Sequence, residues 1–574
     1  MSATPLRPSP PWLPRSIACL RDYTLHKFFQ DLIAGLTVGL VALPLAMAFA
    51  IASGVPPQAG LYTAVVAGFL ISALGGSRTQ IGGPTGAFVV IVSGIVLKFG
   101  VAGLAMVGIL AGFLLLVMGF TGLGSAVKYI PRPVTIGFTN GIALLIASTQ
   151  IKDFLGLATP PVPSEIILRM VMLVHYASTI RWETVLVASA SLAIILLWPR
   201  ITKRVPGTIV ALLLSTLVAA LFHLHVETIG TKFGGIPLGF PHLKLPDLHA
   251  EHILPLLPSA FTVAMLAAVE SLLSAVVADG MTGDRHNSNM ELVAQGIANI
   301  ASPLFGGIPA TGAIARTATN IRSGAQTPIA GIVHALTLLV ILLVAAPLAR
   351  FVPLATLAAV LFVVAYNMGE WREIATILRL SRTDIAVWFT TFALTVIADL
   401  TVAVGVGMAL AALLYIYRVA ETTTVVPVTP AYIDDGEAHI LQGKDIPANV
   451  SILRIHGPFL FGTTEKLGEA TADLKPFATV VILRLRNMTA IDATGIHALE
   501  QFSDRLHKAG KTLLLCGARD QPARLIAGSD FIKHIGAENV LPHVQAALAR
   551  AREIQADFEG IGQNWALEMR NRSL

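Results

Sequence analysis

Long apolar runs recur along this chain at the spacing of membrane helices. From Leu32 to Ser77, and again from Pro133 to Ile151, there is no Asp, Glu, Lys or Arg. About 20 apolar residues cross the hydrocarbon core, so the first run alone holds two spans. Apolar stretches bounded by loop residues predict fourteen spans, near 32–51, 58–75, 85–99, 103–122, 133–150, 184–199, 206–222, 257–279, 290–305, 311–321, 327–349, 353–367, 384–398 and 400–418. An even count puts both ends on one side. Basic residues collect in alternate short loops, at Arg78, at Lys128 with Arg132, at Arg200 with Lys203 and Arg204, at Arg285, at Arg322, and at Arg372 with Arg379 and Arg382. Such loops belong in the cytoplasm, so both termini are expected there, with 152–183 and 223–256 facing outward.

Two of these spans open on the same broken pattern. Gln80-Ile81-Gly82-Gly83-Pro84-Thr85-Gly86-Ala87 begins the third, and Gly306-Gly307-Ile308-Pro309-Ala310-Thr311-Gly312-Ala313 begins the tenth, seven spans later. Glycine permits a tight approach and proline suits a first helical turn, so each motif stops one helix and starts another. Ordinary turns at the membrane surface would use the same residues. The matched spacing instead favours a seven-plus-seven inverted repeat whose half-helices begin near mid-membrane. After Arg418 the periodicity changes to short strands (Val450 to Ile455, Thr479 to Leu485, Thr512 to Cys516) and amphipathic helices (464–473, 494–509, 520–527, 542–556). That alternation predicts a compact α/β domain of ordinary polarity. The layout is therefore a tail over 1–30, a membrane domain over 31–420, an α/β domain over 431–556 and a polar tail over 557–574.

Composition narrows the function. Only 13% of the 574 residues are charged and 54% are hydrophobic, outside the range of soluble domains. The net charge of +6 sits in loops between spans, which is orientation and not nucleic-acid recognition. The basic, proline-rich first 30 residues precede an apolar run too long for a cleaved signal. Cys19 and Cys516 are far apart and imply no disulfide framework. No nucleophile and base constellation, metal-ligand cluster or Walker loop points to an enzyme, and no cofactor is expected.

A half-helix starting inside the membrane exposes unpaired N–H groups and about half a positive charge. Two such ends facing each other hold an anion without a lysine. Gly86, Ala87 and Phe88 would donate from the third span, and Gly312, Ala313 and Ile314 from the tenth. Arg316, one turn into the tenth span, adds a full charge, unless it is a loop arginine near a span end. Glu270 stands in the middle of the eighth span. It either couples transport to a cation or proton, or forms a structural ion pair with Arg316. Ser274 shares its helix face and could add a neutral oxygen.

These residues resemble the sulfate permease (SulP) family of anion transporters. The likeness runs from Asp31 to Ala50 through Gly60-Leu61-Tyr62, Gly82-Gly83-Pro84, Gly137-Phe138-Thr139, Glu270 to Ser274, Glu291 to Asn299 and Gly306 to Asn320. Gln150 to Gly156 and Asp279 to Gly283 resemble bacterial C4-dicarboxylate-type members. The resemblance implies a uracil-transporter-like fold with a core moving against a gate, in a bacterial inner (plasma) membrane. It also implies that Phe88, Ala315 and Arg316 match family anion-site positions. Sodium-coupled bicarbonate members have Asp and Thr where this chain has Glu270 and Ser274, which favours a coupling proton over sodium. Leu45 stands where the family often has Gln, which weakens an assignment to inorganic sulfate. The carboxy-terminal domain resembles the STAS domain through Asp492-Ala493-Thr494-Gly495. Thr494 is either a phosphorylation switch or part of a helix cap. The family implies a homodimer, and the STAS domain could take a cytoplasmic partner. The leading expectation is a secondary active anion transporter with proton symport by alternating access. The alternatives are an uncoupled channel or exchanger, or an anion sensor signalling through the STAS domain.

Overall fold

The computed structural model describes residues 12–125, 131–160, 162–163, 165–202, 205–237, 239, 242–243, 253–379, 381–398, 400–428 and 446–557. Lys128, Lys203, Arg204 and the tail beyond 557 lie outside the described residues. Chain contacts define two compact units, Met1–Ala411 and Ala412–Leu574.

The first unit is a helical membrane domain. Its main helices are α1 (Leu25–Ala52), α2 (Pro57–Leu74), α3 (Gly86–Phe120), α4 (Arg132–Leu155), the amphipathic α5 (Ile166–His175), α6 (Trp182–Ile201), α7 (Gly207–Leu221), α8 (Ile253–Thr282), α9 (Ser288–Leu304), α10 (Ile314–Arg322), α11 (Ile329–Ala345), α12 (Leu354–Met368), α13 (Arg382–Ile397) and α14 (Leu400–Thr422). Strand β1 (Gly82–Gly83) precedes α3, and β2 (Thr311–Gly312) precedes α10. Every expected span falls on one of these helices. The third and fourth are the halves of α3, separated only by Gly100, whose φ of 71° breaks the helical run. Among the described residues, eight helical stretches are long and apolar enough to cross a membrane by themselves.

The packing is reciprocal between the two halves. Helix α1 packs on α11, while α8, seven spans after α1, packs on the second half of α3, seven spans before α11. Likewise α2 packs on α11, and α9 on the second half of α3. Such exchange is what an inverted repeat produces. A second group of contacts joins α4 to α12 and α13, and α6 to α12 and α7.

Lipid offers no hydrophobic drive between helices, so close backbone approach supplies the packing energy. The α3–α9 contact uses facing glycines: a methyl on Gly112 would lie 2.7 Å from Gly296 O, and one on Gly296 would lie 2.8 Å from Gly112 O. At the start of α1 the buried Asp31 carboxylate accepts from Gln326 N (2.7 Å), Thr327 N (3.1 Å) and Thr327 Oγ1 (2.5 Å), so it fixes the turn between α10 and α11.

The second unit holds a five-stranded sheet ordered β3-β4-β5-β6-β7. Strand β3 (Thr424–Pro427) runs antiparallel to β4 (Val450–Phe459). Strands β4, β5 (Val480–Ile491), β6 (Thr512–Cys516) and β7 (Val540–Leu541) are parallel. Helices α15 (Glu465–Ala470), α16 (Ala493–Lys508), α17 (Asp520–Ala527) and α18 (Phe531–Ile535) contribute to the core on one face, and α19 (544–557) covers the other. Strand pairing and chain contacts set two bounds. The sheet begins at Thr424, ahead of 431, because β3 pairs with β4 across a long connection. The unit boundary lies inside α14 and not after it.

Overfilling a tight contact costs about 1–3 kcal/mol or more. Gly112→Leu is therefore expected to abolish a monodisperse peak in size-exclusion chromatography of detergent-solubilised protein. Gly94→Ala, on the same helix with no atom within 4 Å of the added methyl, is expected to leave the peak unchanged.

A candidate anion site at two half-helix starts

The two broken motifs meet. Gly82 pairs with Gly312 and Gly83 with Thr311, antiparallel, and Ala313 N donates to Ile81 O at 2.8 Å. Thr317 Oγ1, one turn into α10, accepts from Ile81 N at 3.0 Å. A two-residue sheet thus satisfies the backbone where both chains stop being helical, as the bilayer interior demands. Buried side chains complete the support. Asn299 clasps Ala310 through both its backbone groups (2.8 and 2.9 Å), Thr311 Oγ1 donates to Ala267 O (2.9 Å), and Asn320 Nδ2 donates to Thr79 O (2.9 Å).

Helices α3 and α10 start just after this pairing, and neither start is capped by a side chain. Thr85, at the N-cap of α3, would ordinarily accept from the third helical amide. Its hydroxyl instead donates to Glu270 Oε2 at 3.0 Å. Arg316 is buried and donates through Nη2 to Pro84 O. The two charges therefore grip consecutive residues, Pro84 and Thr85, and no ion pair joins them among the described residues. Arg316 Nη1 has no hydrogen-bond partner in the structure and lies against Gly83. Buried donors of this kind are rare and call for an explanation. Ala315 is exposed and Ile314 and Glu270 are partly exposed, so the start of α10 and the carboxyl group open on accessible space. The start of α3 is covered: Phe49, Ile146 and Met368 pack around Gly86.

These positions refine the expected donor set. Ala313 cannot offer its amide, which is spent on Ile81 O, and Gly312 belongs to the paired strand. Phe88 N is 3.3 Å from Thr85 O, so it too has an acceptor. Gly86 and Ala87 are buried at the α3 start. The first three amides of α10, on Ile314, Ala315 and Arg316, precede its first helical bond, in which Thr317 N meets Ala313 O at 2.8 Å. Ser274 does not accompany Glu270, because its hydroxyl donates to Thr317 Oγ1 at 3.1 Å.

Sequence reasoning missed Thr85, Thr317 and a second carboxyl group. Glu291 is fully buried at the α9 start. Its Oε2 accepts from Gly76 N (2.9 Å) and Ser77 N (3.2 Å), and its Oε1 from Gln295 Nε2 (3.2 Å) and Ser271 Oγ (3.4 Å). Ser271 also accepts from Gln80 Nε2 at 2.8 Å, so this network reaches the residue beside Glu270. The signal available was Glu291 itself, an acidic residue in an apolar helix. In the STAS-like unit Asp492, not Thr494, is the cap: its Oδ1 accepts from Gly495 N at 2.8 Å, and Thr494 is exposed.

Two half-helix starts that meet beside a buried arginine, in a multi-pass helical bundle, suit a membrane anion transporter. The chain belongs to the sulfate permease family, whose model matches residues 28–391, and a STAS-domain model matches 444–547. It is 42% identical to "Putative sulfate transporter YvdB" of Bacillus subtilis, over 91% of this chain and 98% of that protein. It is 31% identical to the bicarbonate transporter BicA of Picosynechococcus sp., over 91% of this chain and 94% of that protein. Among solved structures, the transmembrane domain of a cyanobacterial BicA is 36% identical, with a TM-score of 0.61 over 67% of this chain and 99% of that one. SLC26A9, at 19% identity, shares the fold with a TM-score of 0.83 over 95% of this chain and 93% of that one.

Gly83 has a φ of 143°, and a methyl there would lie 2.7 Å from Arg316 Nη1. Backbone strain at such positions costs on the order of 1–3 kcal/mol. Gly83→Ala is therefore expected to displace Arg316 and abolish anion uptake into proteoliposomes while the protein remains monodisperse. Wild-type uptake would separate Gly83 from the site.

Proposed function

We propose that this transporter is a secondary active symporter that binds a small anion at the start of α10 and couples its movement to a proton on Glu270. The observation that carries the reading is Arg316 Nη1, a buried donor without a partner, beside three unbonded helix-start amides on Ile314, Ala315 and Arg316. Together they supply directed donors and a full positive charge, the requirements for an oxyanion. Ala315 exposure supports access from solution. Gly86, Ala87 and Phe88 at the α3 start, with Gly312 and Ala313 behind α10, form the wall and scaffold of this site rather than its first donors.

Glu270 suits a proton better than sodium. A cation would need several oxygens around the carboxylate, and among the described residues Thr85 Oγ1 is the side-chain oxygen bonded to it. A proton needs only the carboxylate. When charged, Glu270 holds Thr85 and offsets the positive field at the site. When protonated, it leaves Arg316 and the helix start more positive, so anion binding and proton binding favour each other. The two contact groups, α1–α3 with α8–α11 and α4, α6, α7 with α12 and α13, support a core that moves against a gate, with Phe49, Ile146 and Met368 between them at Gly86. The relatives' names favour sulfate or bicarbonate over a C4-dicarboxylate. A cytoplasmic placement of both termini and a homodimer belong to the same reading.

Two variants test it in proteoliposomes. Glu270→Gln is expected to lose accumulation driven by a pH gradient while retaining anion binding. Accumulation at the wild-type level would remove Glu270 from coupling, and dissipative flux in the wild type would make the protein a channel. Arg316→Ala is expected to weaken binding of sulfate and bicarbonate alike by roughly tenfold or more, about 1.4 kcal/mol, because the loss is of charge and not of shape. Unchanged affinity would place Arg316 outside the site.

A further inference from the structure

The face of the STAS sheet under α19 changes character along β5. Val480 and Ile482 pack with Val544, Ala547 and Leu548 in an apolar layer. The next two positions on that face are Arg484 and Arg486. Strand β6 ends at Cys516, in register with Arg484, whereas β5 runs on to Ile491. Arg486 therefore lies past the end of β6, beside Gly517, whose φ is 74°. A cavity of about 160 Å³ opens at this step, lined by Arg484, Arg486 and Arg519 with Gly517, His543 and the first residues of α19. Among the described residues, no acidic side chain lines it.

Three features of this cavity match one chemistry. Three arginines line it from two chain segments, two of them the exposed Arg486 and Arg519, and planar guanidinium forks suit the oxygens of a tetrahedral oxyanion. The start of α19 adds backbone donors, since the amides of Val544 and Gln545 precede the first helical bond, Ala547 N to His543 O at 3.2 Å. His543 Nδ1 accepts from Ala546 N at 3.1 Å, which turns its Nε2 edge away from the helix backbone. Size then limits the guest. At about 160 Å³ the cavity is small beside the roughly 300 Å³ and more of pockets that enclose a whole organic ligand, and it suits one sulfate or phosphate group.

We infer that the STAS unit carries an oxyanion-binding site between β5 and the start of α19, which takes a single sulfate or phosphate group, free or at the end of a larger molecule. Arg486 and Arg519 are exposed and reach the group from opposite sides of Gly517. Arg484 holds the inner end beside the buried Cys516 thiol, which burial pushes up to about 12 and keeps uncharged. This site stands on different residues from the membrane site, and its test is independent of the transport reading.

Hydrogen–deuterium exchange on the full-length detergent-solubilised protein separates the two sites, because it reads each peptide locally. Sodium sulfate, sodium phosphate and AMP are added separately at equal ionic strength, with sodium chloride as the control. The expected result is slowed exchange in peptides covering 484–487, 517–519 and 543–546. Protection by sulfate or phosphate identifies a free oxyanion, and protection by AMP alone identifies a phosphate-bearing organic ligand. The protection is expected to be lost in Arg486→Ala/Arg519→Ala and weakened in Arg519→Ala, with exchange in β4 and α16 unchanged as the folding control. Absence of protection with all three probes overturns the proposal. So does equal protection by chloride, or protection that survives in the double variant.

Discussion

The constraint on which this membrane domain depends is that backbone polar groups inside a bilayer must find partners within the protein. Two chains that cease to be helical in the same place can meet the demand only by bonding to each other. The Gly82-Gly83 and Thr311-Gly312 pairing does this, and its glycines let the strands come together where any side chain would obstruct. Everything chemical at the site follows from where that pairing ends. The first amides of α10 are free because Ala313, one residue earlier, is the last to bond across the crossing. Pro84 and Thr85 emerge on the other side, within reach of Arg316 and Glu270.

The arrangement also explains how two opposite charges persist there. A direct ion pair would neutralise the field that an anion needs. Separated by a peptide segment, Arg316 keeps one nitrogen unengaged, and Glu270 keeps one oxygen, Oε1, outside the Thr85 bond. The desolvation cost of buried charge is met in part by the backbone carbonyl and the hydroxyl.

Much of the architecture was legible because the bilayer imposes few solutions. Apolar run length gave the spans, and the repeated glycine-proline motif gave the relation between halves. The family resemblance added the STAS unit. Legibility failed where partners are distant in sequence. Ala313 looks like a free donor until Ile81 is brought to it across more than two hundred residues. Ser274 shares a helical face with Glu270, yet Thr317 competes for its hydroxyl and wins. Thr85 reads as a routine N-cap, and only the position of α8 reveals that its hydroxyl points elsewhere. Strand β3 is four residues long and pairs across a connection longer than twenty, too little local pattern to identify from composition.

Asp31 has a consequence for movement. Its carboxylate ties the beginning of the first helix to the amides that open α11, immediately after α10 ends. The α10 half-helix is thereby latched at its far end to an element from the opposite repeat. A displacement of α10 along its axis would pull on α1 through the same carboxylate, so the two elements are fastened as one piece.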